Sequence, residues 1–489
     1  MRRSRLVILL VSALLITLVV TGGILSHAAV RDTSYQSLRV FEDVVNLVMN
    51  NYVEEVDTTN IMQGAMHGLA DGLDPESSYV TADQVGALTR GEPLPRGEVG
   101  LELTRQYYLR VIAAREGSPA ARAGVRSGDF VRQINDEPTR DMSVFTGTRV
   151  LRGAPGTKVK LMVIRGNAAE PHEVELVREE ARPLTPTVRS LQPGLALLRI
   201  PEFTGETAKQ LRERLTTVRD PRLQHLIIDL RSTAEGPLEA GLTAARLFVA
   251  EGTLGAHQTR SAKSPIAARA GDGSISVPVT LLVDTGTAGA AELFAAALNG
   301  NGRAKLVGER TIGRAGMQEL IRLPDGTGLL MTTSRYLTPK DAVIHGKGLT
   351  PDVAVDGPDI EYGAAPPSND PILEKAIELA SQKEQEEKPS PELTQHTAPS
   401  PGASAAVDNS AAVDKPLATP PPQREASAAS VPQPATYTVT QGDTLAKIAK
   451  QHLGTSAAYR RIFELNQDQL TDPNKIRVGQ VLKLPDARE

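Results

Sequence analysis

The chain has 489 residues, with 54 Lys+Arg against 58 Asp+Glu and a formal net charge of -4. That length allows roughly three globular units at about 150 residues each, and the charge balance provides no basic field to hold a nucleic-acid backbone, so no nucleic-acid partner is expected. With no cysteine there is no disulfide framework, no thiolate zinc site and no cysteine nucleophile.

Arg2, Arg3 and Arg5 precede a run from Leu6 to Leu25 that contains no charged residue. At about 1.5 Å per residue this run spans a hydrocarbon core of about 30 Å. The basic flank sets an inside amino terminus and an exported remainder. Ser26-His27-Ala28 has the small-x-small shape of a signal cleavage site. Residues 1–30 are therefore read as a transmembrane anchor or a signal, with length favouring the anchor. Residues 31–92 are read as a helical region. Leu38, Phe41, Val45 and Val48 recur at steps of three and four, which predicts one apolar helix face. A second helix is expected over Asn60 to Leu69, before the turn Leu73-Asp74-Pro75-Glu76-Ser77-Ser78-Tyr79.

Residues 93–182 alternate short β-rich runs (Val99 to Leu103, Leu109 to Ala113, Phe130 to Ile134, Val159 to Ile164) with Gly-Asp, Asn-Asp and Pro-Gly turn signals. The stretches Glu98 to Leu103, Gly117 to Asp129 and Leu151 to Thr157 occur together in that order and resemble a PDZ domain of the circularly rearranged type found in bacterial exported proteases. The resemblance implies that backbone N–H groups around Val99, Gly100 and Leu101 receive the terminal carboxylate of a peptide, which then pairs along the following strand edge.

Residues 183–380 carry alternating strand and helix patterns, which predict an α/β layer with crossovers. The strands are Leu195 to Ile200, Leu226 to Leu230 and Val277 to Val283. The helices fall around Ala208 to Val218, Leu238 to Val249 and Ala288 to Leu298. Residues 381–435 turn to Pro, Ala, Ser, Gln and Glu with almost no bulky apolar residue, the composition of a disordered linker. Apolar patterning returns in residues 436–489. Tyr437 to Ala449 and Pro473 to Pro485 resemble a LysM domain with a βααβ order, in which Asp443 can cap the first helix. That resemblance implies a shallow groove for N-acetylglucosamine-containing glycans, formed by Gly442, Asp443, Thr444, Leu445, Asn474, Lys475 and Ile476. The fold expected overall is a multidomain α/β chain: membrane helix, helical segment, PDZ domain, α/β core, linker and LysM domain.

Within the α/β region, Leu226 to Arg231, Gly286 to Glu292, Gly302 to Ala304, Gly308 to Gln318 and Gly348 to Asp352 follow the order of the carboxyl-terminal processing peptidases. With Asn51-Tyr52-Val53 and Leu73-Asp74-Pro75 upstream, the resemblance covers about Leu38 to Ala380. That family cuts proteins near their carboxyl ends with a Ser-Lys dyad, in which a neutral lysine takes the serine's proton. The position matching the serine is Gly289, and the position matching the lysine, twenty-five residues on, is Arg314. Glycine has no side chain to attack with, and arginine, with a pKa above about 12, is no neutral base. Gln318 matches the glutamine that orients the lysine. Where the family has Asp-Leu-Arg-x-Asn-Pro-Gly-Gly, this chain has Asp229 to Gly236 with Glu235 in place of the first glycine, so a carboxylate is expected beside the oxyanion position.

The expected function is a catalytically inactive envelope member of this family. It binds protein carboxyl-terminal tails or an active protease partner, sits at the bacterial inner membrane with its bulk on the periplasmic side, and is tethered to peptidoglycan. The alternative is an active serine-type endopeptidase with an unorthodox site. The eight histidines are scattered without a His-x-x-x-His pair, so no metal and no cofactor is expected.

Overall fold

The chain divides into two compact units, residues 1–393 and 394–489. The computed structural model describes residues 36, 38–166, 170–217, 223–358, 360–365 and 367–387 of the first. Of the second it describes 435–439, 444–453, 459–466, 469–470, 476–477 and 479–485. The expected span Leu6 to Leu25 and most of the expected linker lie outside these residues. Among the described residues no helix is long and apolar enough to cross a membrane.

The first unit opens with helix α1 (38–51) and helix α2 (Thr58–Asp71). Asp57 caps α2 by accepting the N–H groups of Thr59 at 2.8 Å and Asn60 at 3.4 Å. The apolar face expected on α1 is only half covered. Val45 and Val48 are partly buried, whereas Leu38 is 63% and Phe41 43% exposed. Strand β1 (Ser78–Val80) and helix α3 (Ala82–Thr89) follow, and a capping box of Thr81 and Gln84 starts α3.

The PDZ module is bracketed by two short linking strands, β2 (Gly97–Glu98) and, at its exit, β9 (Glu179–Glu180), which pair with each other. Between them run β3 (Leu101–Gln106), β4 (Tyr108–Ala114), helix α4 (Pro119–Arg122), β5 (Phe130–Ile134), β6 (Glu137–Pro138), helix α5 (Val144–Leu151), β7 (Lys158–Ile164) and β8 (His172–Val177). The sheet order is β3-β4-β5-β7-β8, with β6 on β5, so β3 is an edge strand. Asn135 and Asp136 take positive φ in the two-residue turn between β5 and β6, as the Asn-Asp signal predicts. Helices α4 and α5 lie between the expected strands. They are capped by Ser118 and Ser143 and are too short to show a helical period.

The core follows as β10 (Thr187–Gln192), β11 (Leu195–Arg199), helix α6 (Thr207–Thr217), β12 (His225–Asp229), helix α7 (Leu238–Ala245), β13 (Thr253–Thr259), β14 (Lys263–Ala267), β15 (Val279–Val283), helix α8 (Ala290–Gly300), β16 (Ala304–Gly308), β17 (Gly316–Arg322), β18 (Gly328–Leu337), β19 (Val353–Ala354) and helix α9 (Pro371–Glu387). The main sheet runs β10-β11-β12-β15-β16-β19, with every pair from β11 to β19 parallel. Period-two alternation sends Leu198, Ile228 and Leu281 to the face covered by α7 and α8, and Leu197, Ile227 and Leu282 to the face covered by α9. Helix α9 continues past Ala380 to Glu387, so regular structure extends beyond the boundary expected for the linker. A second sheet, β1-β18-β13-β14 with β17 on β18, joins the helical region to the core.

The second unit contains β20 (Ala435–Thr438), helix α10 (Leu445–Leu453), helix α11 (Tyr459–Leu465) and β21 (Val481–Leu484), with β20 and β21 paired antiparallel. Its core is built on Val439, Ile448, Ala449, Ile462 and Leu482.

Candidate functional site

Strand β15 ends in a turn, Asp284 to Ala288, that delivers Gly289 to the start of α8. Thr287 closes the turn: the single hydrogen of its hydroxyl is shared between Leu230 O at 2.9 Å and Asp284 Oδ1 at 3.0 Å, and its oxygen accepts the Asp284 N–H at 3.0 Å. That hydroxyl is therefore committed to structure. Gly289 has φ +60° and ψ -121°. A Cβ built there would meet nothing nearer than Ala234 O and Leu238 Cδ2, both at 3.6 Å, so the position has room for a side chain that it lacks.

Glu292, one turn into α8 and fully buried, ties the two halves of the site together. Its carboxylate accepts the N–H of Gly289 at 3.1 Å, of Gly313 at 2.8 Å and of Arg314 at 2.7 Å, and the Thr311 hydroxyl. The loop before β17 is thus pinned to the head of α8, and it presents Arg314. The guanidinium of Arg314 lies 2.5 Å from Glu102 Oε2 on β3 and 3.3 Å from Glu76 Oε2. Burial pulls its pKa down, and the charges of Glu76 and Glu102 more than compensate, so it is held above the ordinary arginine value. Gln318 donates to Glu76 O at 2.5 Å. Burial pushes the Glu76 carboxyl up, against the pull of Arg314. Gly289, Arg314, Gln318, Glu76, Glu102 and Gly236 line one cleft of about 310 Å³.

The structure thus brings Gly289, Arg314 and Gln318 into one cleft. The sequence reading missed Glu76, Glu102 and the knotting role of Glu292, because isolated carboxylates carry no periodic signal. Glu235 departs from the expectation. Its carboxylate does not line the cleft but lies 3.1 Å from Arg115 Nε. Its neighbour Gly236 has φ +115°, and a Cβ there would sit 1.6 Å from Phe203 O, so only glycine fits.

At the entry to β3, Gly100 has φ +72°, and a Cβ would lie 2.3 Å from Ser118 Cβ. Val99 O accepts the Ala120 N–H at 3.1 Å, and Gly100 O accepts the Arg115 N–H at 2.8 Å. Among the described residues no hydrogen bond uses the N–H of Val99 or Gly100. The pairing of Arg115 N–H with Gly100 O makes Leu101 and Ala114 a non-hydrogen-bonded pair, so the Leu101 N–H faces the open edge of β3. Three successive donors are thereby unused by the fold.

In the second unit, Gly442, Asp443, Asn474 and Lys475 lie outside the described residues. The helix cap that is described comes from Thr444, whose hydroxyl accepts the Lys447 N–H at 3.2 Å. Leu445 is 2% exposed and belongs to the hydrophobic core, so its side chain is not available to a glycan, and Ile476 packs against the same core. Among the described residues no group of three or more His, Asp or Glu could hold a metal ion.

Residues 194–355 match Peptidase family S41, residues 110–165 a PDZ domain and residues 437–485 a LysM domain. The carboxy-terminal-processing protease of Bartonella bacilliformis is 28% identical over 335 residues, covering 66% of this chain and 76% of that protein. The carboxyl-terminal-processing protease of Synechocystis sp. is 30% identical over 316 residues, covering 63% of this chain and 73% of that protein. The solved photosystem II D1 C-terminal processing protease aligns with a TM-score of 0.55 at 26% identity, over 62% of this chain and 84% of that chain. On this sequence and fold similarity the chain belongs to the carboxyl-terminal-processing protease family of S41 peptidases and carries a PDZ and a LysM domain.

Proposed function

We propose that this protein is a member of the family that holds protein carboxyl-terminal tails without cutting them, in the bacterial envelope beside peptidoglycan. The observation that carries this reading is the cleft itself. Position 289 offers no nucleophile, and position 314 offers a guanidinium kept charged by two carboxylates, which cannot accept a proton from a hydroxyl. Tail binding is supported by the unused N–H groups of Val99, Gly100 and Leu101 at the head of an open strand edge, the arrangement that receives a carboxylate and extends a sheet. The tails of substrates, or of an active protease partner, meet the same requirement.

The LysM match supports attachment to N-acetylglucosamine glycans, and the basic flank and apolar run at the amino terminus support export through, or anchoring in, the inner membrane. The purified full-length protein, incubated with a disordered protein substrate and followed by mass spectrometry, should leave it intact. Cleavage that persists in variants at Gly289 and Arg314 would establish the alternative, an endopeptidase with another site.

A further inference from the structure

The PDZ domain is joined to the rest of its unit by β2 and β9, and the guanidinium of Arg115, just beyond β4, sits against this junction. Three carboxylates converge on it. Glu98 lies 2.8 Å from Nη1, while Glu235 at 3.1 Å and Glu202 at 3.6 Å share Nε. Arg115 also donates to Arg182 O beyond β9. One further cation joins the cluster, Arg152 at 2.7 Å from Glu98. Glu98, Arg115 and Arg152 belong to the PDZ domain, and Glu202 and Glu235 to the core. The five side chains are between 10% and 29% exposed. Two guanidinium groups face three carboxylates, so one negative charge is unmatched where the local dielectric makes that costly.

The three carboxylates are not equally supported. Glu98 has two guanidinium partners, and Glu202 also accepts the Leu184 N–H at 3.1 Å. Among the described residues Glu235 has only the shared Nε of Arg115, and that nitrogen is not aligned for a hydrogen bond. Burial pushes the Glu235 carboxyl up to about 7; Arg115 opposes the shift, and Glu102, Glu98 and Glu202 add to it. Of the nearby charges, Glu102 is paired with Arg314, which it shares with Glu76, and Arg199 is engaged with Glu116 at 3.4 Å and Asp229 at 3.9 Å.

We propose that Glu235 is a proton-operated latch on the junction between the PDZ domain and the protease-like core. With Glu235 protonated, two cations meet two carboxylates and the junction is closed; with it ionised, the excess charge favours opening toward water. The sign follows from linkage. The closed junction holds the proton up to about pH 7, whereas a carboxyl released to water holds it only to about 4.5. Closure is therefore complete below about pH 4.5, weakens as pH rises to about 7 and changes little above that.

The test is amide hydrogen exchange on the full-length protein, corrected for intrinsic rates. Protection of the β2 and β9 amides should fall by about tenfold between pH 5.5 and 7, while that of α8 stays constant. Glu235→Gln should remove the pH dependence and keep the junction protected at both values. Should that variant fold poorly, Glu235→Ala removes the same charge and must also flatten the profile. A flat profile in the unaltered protein, or an unchanged slope in either variant, overturns the latch.

Discussion

Arg314 and Glu102 meet at 2.5 Å across a domain boundary, the arginine from the loop before β17 of the core and the glutamate from the edge strand β3 of the PDZ domain. Glu76, from the turn that ends the helical region, lies 3.3 Å from the same guanidinium. The position that the family resemblance matches to a catalytic lysine thus joins three parts of the unit through one charge. A neutral lysine could not do this and remain a base, so the ion pairs and proton abstraction exclude each other at this position.

Replacing that charge should therefore destabilise the unit rather than alter any chemistry. Arg314→Ala leaves Glu76 and Glu102 without their cation, and the expected loss is about 3 kcal/mol, toward the low end for a broken buried pair because Arg314 is 31% exposed. Urea unfolding of the full-length protein measures it. Arg314→Lys keeps the charge but not the planar fork, and should lose less.

Gly289→Ser should fold and stay inactive. The neighbouring atoms leave 3.6 Å around a new Cβ, but φ +60° with ψ -121° is a sparsely populated conformation that costs a non-glycine residue about 1 to 3 kcal/mol. A modest fall in Tm with no peptide-bond cleavage is the expected pair of results. Turnover by this single variant would falsify the assignment of Arg314 as incompetent.

Tail binding should depend on the free carboxylate. Amidating a peptide with an apolar carboxyl terminus removes the charge that the Val99 to Leu101 N–H groups would satisfy, and affinity should fall at least about tenfold, the equivalent of about 1.4 kcal/mol. Gly100→Ala should abolish binding, because its Cβ would collide with Ser118 Cβ at 2.3 Å and force the loop to move. Calorimetric titration with both peptides decides it; equal affinity for acid and amide rejects this mode.

Attachment to the wall should reside in the second compact unit. Purified sacculi are expected to sediment the full-length protein and to leave a chain truncated after Leu393 in the supernatant. Equal co-sedimentation of the two would move the wall contact into the protease-like unit. Weak affinity for short glycans is expected in either case, since a shallow groove buries little surface.

The order of domains was legible in the sequence because each rests on local, repeated signals. Strands such as Leu226 to Leu230 are continuous apolar runs, turns such as Asn135-Asp136 are set by their own residues, and motifs around Gly289 and Arg314 keep their spacing whatever the packing. On those same signals the family resemblance matches a glycine and an arginine to the positions of its nucleophile and base. What the sequence could not carry is the partner of each charge. Glu76, Glu102 and Arg314 are separated by many residues in the chain and meet only when three sub-structures pack. Glu235 looked like a carboxylate beside an oxyanion position, yet its side chain turns to Arg115. A turn's sequence specifies its backbone, whereas the direction of a long charged side chain is chosen by the nearest opposite charge in the folded molecule, and only tertiary structure supplies that.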